Sequence, residues 1–355
     1  MLGKEISPVL LLLVGLTACS SPATHTAYVT LPTDNAVAAY RINNSSAAFT
    51  TIVGSPYLTG ASPAAIVVHP SGKYAYVANR IDNTISLFRI DSLIGSLSEI
   101  MPRTPTALDP VAMVMNSGGN LLFVTNQVSS SISVYSINSG SGALSLVGGT
   151  PVSLPPNPVS LAVTPSGKFL YVVNSNLGLV FGFSVTGSGS LQPISGSPFA
   201  SGAGAFAVAV DPGEKFVYVA NSSANTVSIL AISSSGALSP VSGSPFAAGT
   251  APVSVAVSTN GQYLYIANAS SNNITEYSID ATTGFATAIL GSPVGAGTAP
   301  LFLVPDPNGN FIYVISQSAK TVTAYSITSG TGALATSVES ATTAAAAGGM
   351  FVSKQ

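Results

Sequence analysis

A tetrapeptide of the form Tyr-Val-Ala-Asn returns at a fixed interval along this chain, and that interval leaves few folds open. Its copies are Tyr28-Val29-Thr30-Leu31, Tyr76-Val77-Ala78-Asn79, Phe123-Val124-Thr125-Asn126, Tyr171-Val172-Val173-Asn174, Tyr218-Val219-Ala220-Asn221, Tyr265-Ile266-Ala267-Asn268 and Tyr313-Val314-Ile315-Ser316. Successive copies end 47 or 48 residues apart. Each period is one supersecondary unit that buries its apolar face only against its neighbours, so the chain is a repeat architecture and its length does not count domains.

One period shows the unit. Residues 158–163 form a short, β-branched apolar run, and Thr164-Pro165-Ser166-Gly167 supplies turn residues where a tight reversal needs them. Residues 169–173 read as a second strand and residues 179–185 as a third. A Gly-rich turn and a weaker fourth strand then lead to Gly196-Ser197-Pro198, an element that recurs at Gly54, Gly243 and Gly291. Four short strands in about 47 residues make a β-propeller blade. Seven copies predict an all-β, seven-bladed β-propeller with four antiparallel strands per blade. No sustained 3.6-residue apolar period follows the N-terminal stretch, so helix is not expected. The first copy has no inner strand before it, whereas Gly349-Met350-Phe351-Val352-Ser353 follows the last repeat. The C-terminal strand is therefore expected to join the first blade and close the ring, removing the open edges a linear array would expose.

The N-terminus is organised differently. Lys4, the apolar run Val9 to Leu16 and Leu16-Thr17-Ala18-Cys19 read as an export signal, too short to span a bilayer. The last four residues resemble a bacterial lipobox, which implies cleavage before Cys19 and lipid attachment to it. Cys19 is the chain's single cysteine, so no internal disulfide competes for it. The expected organisation is a signal peptide over residues 1–18, a short tether over 19–26 and the propeller over 27–355. The expected location is the cell envelope, as an outer-membrane lipoprotein held to the membrane through Cys19; the alternative is a plain secretory signal and a periplasmic or secreted protein.

Charge narrows the function. Charged residues are 6% of the chain, with Lys+Arg 10 against Asp+Glu 12. There is no basic stripe for a nucleic-acid backbone. No metal-ligand pattern and no cofactor motif is present. On the face that carries the loops after each motif and the crossovers between blades, charges concentrate near the second and third blades. Arg80 and Asp82 follow the second motif, Arg103 and Asp109 fall in the next crossover, and Asp34 and Lys320 lie in corresponding loops of the first and seventh blades. Arg80, Asp82, Arg103 and Asp109 are the candidate ligand-binding residues, with Arg supplying paired donors for an anionic or sugar-like group. The competing reading is a set of local salt bridges that pin the loops. His69 occupies a turn position on the opposite face, His25 falls in the tether and is expected to be solvated, and the motif asparagines are expected to bond nearby loop backbone. The aromatic stripe from Tyr76 to Tyr313 is expected to pack between blades.

The motif copies, the Pro-Ser-Gly-Lys first turns and the Gly-x-Leu second turns together resemble YVTN-type β-propellers and the related seven-bladed lactonase-like family, which includes bacterial 6-phosphogluconolactonases. The resemblance implies a hydrolase acting on a cyclic ester, but the residues themselves assign no catalytic group, since neither histidine is placed to activate water. The reading preferred from the residues is a lipid-anchored, non-catalytic envelope module that binds or scaffolds a glycan, a peptide or another envelope protein. The alternative is a lactonase acting on a sugar lactone.

Overall fold

The computed structural model describes residues 24–343 and 345–353, so the stretch expected to be an export signal and Cys19 lie outside the described residues. The described chain is all-β, in seven antiparallel sheets. The fifth blade is typical: inner strand Ala205–Val210, second strand Phe216–Asn221, third strand Thr226–Ile232, and an outer strand broken into Leu238–Pro240 and Phe246–Ala247. Both outer pieces pair with the third strand.

The Gly-Ser-Pro element explains that break. Its glycine takes a positive φ, as at Gly196 (86°) and Gly243 (84°), where a side chain would be strained. Its serine then replaces the ladder bond that the bend removes. Ser55, Ser197, Ser244 and Ser292 each accept a hydrogen bond through Oγ from a third-strand N–H, at 2.8–2.9 Å.

Ring closure takes the expected form. Met350–Ser353 pairs antiparallel with Thr24–Leu31 as the inner strand of the first blade, with Tyr28 opposite Phe351 and Val29 opposite Met350. Thr30 extends the seam, its N–H donating to Gly349 O at 2.9 Å and its Oγ1 accepting from Gly349 N at 2.8 Å. The first-blade strand begins at Thr24, three residues before the expected propeller start.

The core consists of wedges between neighbouring blades, and the motif aromatic is the centre of each. Tyr28, Tyr76, Phe123, Tyr171, Tyr218, Tyr265 and Tyr313 are all fully buried. Four of the tyrosines reach the next blade's second turn, donating to Gly95 O, Gly142 O, Gly236 O and Gly332 O at 2.8 Å. Burial pushes these phenols well above their ordinary range, so they act only as donors.

Two expectations are corrected here. His25 is not solvated: it is 3% exposed, within the first-blade strand, and its Nδ1 lies 3.0 Å from Asp306 Oδ1 of the seventh blade. Ring closure seats it against a partner 281 residues away. The motif asparagines bond chiefly to hydroxyls of the adjacent third strand rather than to loop backbone. Asn79 donates to Thr84 Oγ1 and Ser86 Oγ, and Asn221 to Thr226 Oγ1 and Ser228 Oγ, at 2.9–3.1 Å.

Candidate functional site

The inner strands surround a central cavity of about 530 Å³. Two repeated positions build its mouth. The first is the residue after each motif: Pro32, Arg80, Gln127, Ser175, Ser222, Ala269 and Gln317. The second is the residue before the inner strand in blades two to seven: Ser62, Asp109, Asn157, Gly204, Ala251 and Ala299, all at positive φ. Backbone bonds join the two positions in every such pair, among them Arg80 N to Ser62 O and Gln127 N to Asp109 O. The asparagine in the preceding loop fixes several of them further, as where Asn83 Oδ1 accepts from Asp109 N at 2.8 Å. The scaffold is constant and its side chains differ from blade to blade.

Blades two to four carry a polar arc at these positions. Arg80 grips Asp109 through two parallel bonds, Nε to Oδ1 at 2.6 Å and Nη2 to Oδ2 at 2.9 Å. Nη2 also lies 3.5 Å from Gln127 Oε1, and Gln127 in turn donates to Asn157 Oδ1. These bonds hold the Arg80 guanidinium above even its high ordinary range, so it is a permanent cation. The facing wall is apolar. In blades two to seven an extra residue bulges the inner strand at the rim, and a bulge re-aims the side chain it carries. In the fifth blade that residue is Phe206. Phe206 and Phe302 line the cavity, 39% and 38% exposed.

The four charged candidates are not brought together at this mouth. Arg80 lines the cavity and Asp109 holds it in place. Arg103 does not fall in a crossover: the second blade's outer strand runs unbroken as Leu97–Pro105, so Arg103 sits on the outer edge of its blade. There it pairs with Glu99 (Nε to Oε1, 2.8 Å) and approaches Asp82 at 3.4 Å. Asp82 is further held by Ala61 N. The expected local salt bridges therefore exist, and Arg80 alone of the four also faces the channel. Asp34 and Lys320 occupy exposed loop positions, Lys320 at the positive-φ corner filled by Asn83 in the second blade. Gln127, Asn157, Phe206, Phe302 and Gln317 were not singled out from the sequence. Aligning the chain on the residue after each motif and the residue before each inner strand would have found most of them. His69 is a turn residue as expected, its ring bonded to Ser71 Oγ and Gly119 O. Among the described residues no group of three metal-ligating side chains occurs.

A family model described as lactonase, 7-bladed beta-propeller matches residues 18–161 and 160–350. Among solved structures, a candidate 6-phosphogluconolactonase from Bacteroides fragilis is similar at TM-score 0.83 and 19% identity, covering 94% of this chain and 99% of its own. A periplasmic gluconolactonase from Pseudomonas aeruginosa is similar at TM-score 0.79 and 17% identity, covering 93% and 99%. At these identities the structures share the fold. No curated protein matches the sequence.

Proposed function

We propose, from the premise that the chain belongs to the seven-bladed β-propeller lactonase family, that it hydrolyses an uncharged lactone at the channel mouth. The observation that carries this reading is the clamped Arg80 guanidinium on the rim of a 530 Å³ cavity. A non-catalytic binding module would fit scattered polar groups. A rigid cation aimed into a ring-sized cavity fits better the polarisation of an ester carbonyl, where charge develops on oxygen.

The chemistry is simple. The side-on grip of Asp109 occupies Nε and Nη2, so the Nη1 edge of Arg80 faces an incoming carbonyl oxygen. A water oxygen attacks the carbonyl carbon, the ring C–O bond breaks, and the water's proton ends on the ring oxygen as a hydroxyl. Arg80 touches substrate and Asp109 positions Arg80. Phe206 and Phe302 supply the apolar surface against which the C–H face of a sugar ring packs.

Charge selects within the lactones. Among the described residues Arg80 is the sole charged one lining the cavity, and Asp109 neutralises it. A phosphate dianion calls for several uncompensated cations. The neutral gluconolactone named for the Pseudomonas structure suits this mouth better than a phosphorylated lactone.

The test is lactone hydrolysis by Arg80→Ala. Arg80 is 42% exposed, so its ion pair contributes only about 0–1 kcal/mol to stability. Loss of about 10²-fold in kcat with an unchanged melting temperature is expected. Full activity in the variant would remove Arg80 from the mechanism.

We also propose that Cys19 carries the lipid anchor of an outer-membrane protein. The lipobox-like residues 16–19 and the single cysteine support this reading, and mass spectrometry of the mature chain tests it.

A further inference from the structure

On the face opposite the channel mouth, the second turns carry small polar or alanine tips in six blades. Examples are Ser139-Gly140-Ser141 in the third and Ser234-Ser235 in the fifth. The second blade departs from this pattern with Ser92-Leu93-Ile94. Leu93 is 81% exposed and Ile94 48% exposed, so neither contributes much to the core. Their turn is nevertheless fixed, because Asp91 Oδ1 accepts from Leu93 N at 2.8 Å and from Ile94 N at 3.0 Å. Two large apolar side chains are held out into solvent by a braced turn.

Three cations lie at this end of the blade, together with the Asp91 carboxylate of the turn itself. Arg41 donates through Nη2 to the Leu93 carbonyl. Lys73 and Arg89 lie at the same end of the second blade, where Tyr74 faces Arg89 and Ile90 N bonds Lys73 O. None of the three forms an ion pair among the described residues. Elsewhere on this face the accessible charges balance, Glu214 and Asp280 against Lys168 and Lys215, while Asp211 and Asp306 are buried in their turns. The corner beside blades one and two thus sets three cations, against the single Asp91 carboxylate, around two exposed apolar side chains.

The chain's N-terminal end enters at this corner. Thr24, the first described residue, pairs with Asn43 at the opening of the first blade's second turn, and Tyr28 OH bonds Gly95 O at the base of the Leu93 turn. Four residues, 20–23, lie between Cys19 and Thr24, and the five Cα steps reach about 17 Å when extended.

We propose that this corner is a membrane-docking surface. Leu93 and Ile94 seat in the headgroup layer of a bilayer, Arg41, Lys73 and Arg89 meet anionic lipid phosphates, and the channel mouth faces the aqueous side. The proposal rests on the lipid-anchor reading. Acyl chains suffice to hold the protein to the membrane, and the corner adds a second, orienting contact that also binds anionic vesicles without them.

Acylation of Cys19 leaves an introduced cysteine as the sole free thiol. The lipidated full chain carrying Ser92→Cys or Val128→Cys is labelled with an environment-sensitive fluorophore and reconstituted into phosphatidylcholine vesicles containing phosphatidylglycerol. The label at position 92 is expected to shift blue and lose about threefold in iodide quenching, as for a group in the headgroup layer. The label at 128, on the channel face, is expected to stay in water. Adding Leu93→Ser and Ile94→Ser is expected to return the 92 label to water while the protein remains membrane-bound. Equal or reversed protection of the two labels, or protection surviving the double substitution, would overturn the proposal. If mass spectrometry finds Cys19 unmodified, the anchor reading fails separately. Flotation of the unlipidated chain with the same vesicles then decides: binding abolished by the double substitution sustains the docking surface, and no binding overturns it.

Discussion

At the residue scale, partners were legible where both lie within one repeat. Motif asparagines are followed five and seven residues later by hydroxyl or amide side chains, as Asn126 is by Ser131 and Ser133, and Asn268 by Asn273 and Thr275. Asn174 is followed by Leu179 and Phe181, and it turns instead to the carbonyls of Pro155 and Pro156. Leu31 replaces the asparagine where Ala36 and Ala38 follow. His25 was not legible in this way, since its repeat position holds solvated Lys73 and Lys168 elsewhere and its partner Asp306 comes from the other end of the chain. The tyrosine latches give a paired prediction. Tyr76→Phe strands a buried carbonyl and should cost about 1–3 kcal/mol. Tyr218 OH is buried without a partner among the described residues, so Tyr218→Phe should be neutral or stabilising. Denaturant melts of the two variants separate these outcomes, and equal losses would contradict the latch assignment.

Glu276 adds a pH dependence. Burial pushes its carboxyl above the ordinary range, partly offset by the Leu334 N–H it accepts at 2.6 Å. The folded chain therefore holds the proton more tightly than the unfolded chain. Its contribution is fully present below the unfolded value of about 4.3 and is lost as pH rises through the folded value. Asp91 and Asp280 are shifted downward by their turn N–H bonds, so they act at lower pH. Between pH 4.5 and 7, the difference in melting temperature between Glu276→Gln and the parent should grow in favour of the variant. Parallel profiles would show that Glu276 ionises freely.

At the element scale, strand order followed from turn residues and short apolar runs, while strand ends did not. The outer strand is the weakest pattern in each repeat. In the second blade it runs unbroken to Pro105, which carried Arg103 out of the expected crossover and away from the channel. The closing strand was legible because Met350 to Ser353 has no other role in the repeat. Met350 and Val352 are 4% and 6% exposed, and burying the pair contributes about 3–6 kcal/mol. That is a large share of a typical domain stability of about 5–15 kcal/mol. Removing residues 345–355 should therefore lower the melting temperature of the whole ring in one transition. A separate early transition confined to the first blade would contradict a cooperatively closed ring.

At the scale of the whole molecule, the propeller has two unlike faces. One carries the channel mouth, with the Arg80, Gln127 and Asn157 arc opposite Phe206 and Phe302. The other carries the Leu93 corner beside the chain's N-terminal strand. The sequence made the sevenfold scaffold plain because repetition averages over blades. Function lies in departures from the repeat, and single departures carry no periodic signal, so the mouth became visible only when ring closure set the blades side by side. The most direct measurement of the central claim is the initial rate of ring opening of glucono-δ-lactone and of 6-phosphogluconolactone by the purified mature chain. Turnover of the neutral lactone, weaker turnover of the phosphorylated one, and loss of both in Arg80→Ala are expected. Preference for the phosphorylated lactone would contradict the charge argument at the mouth, and no turnover of any lactone would contradict the proposed activity itself.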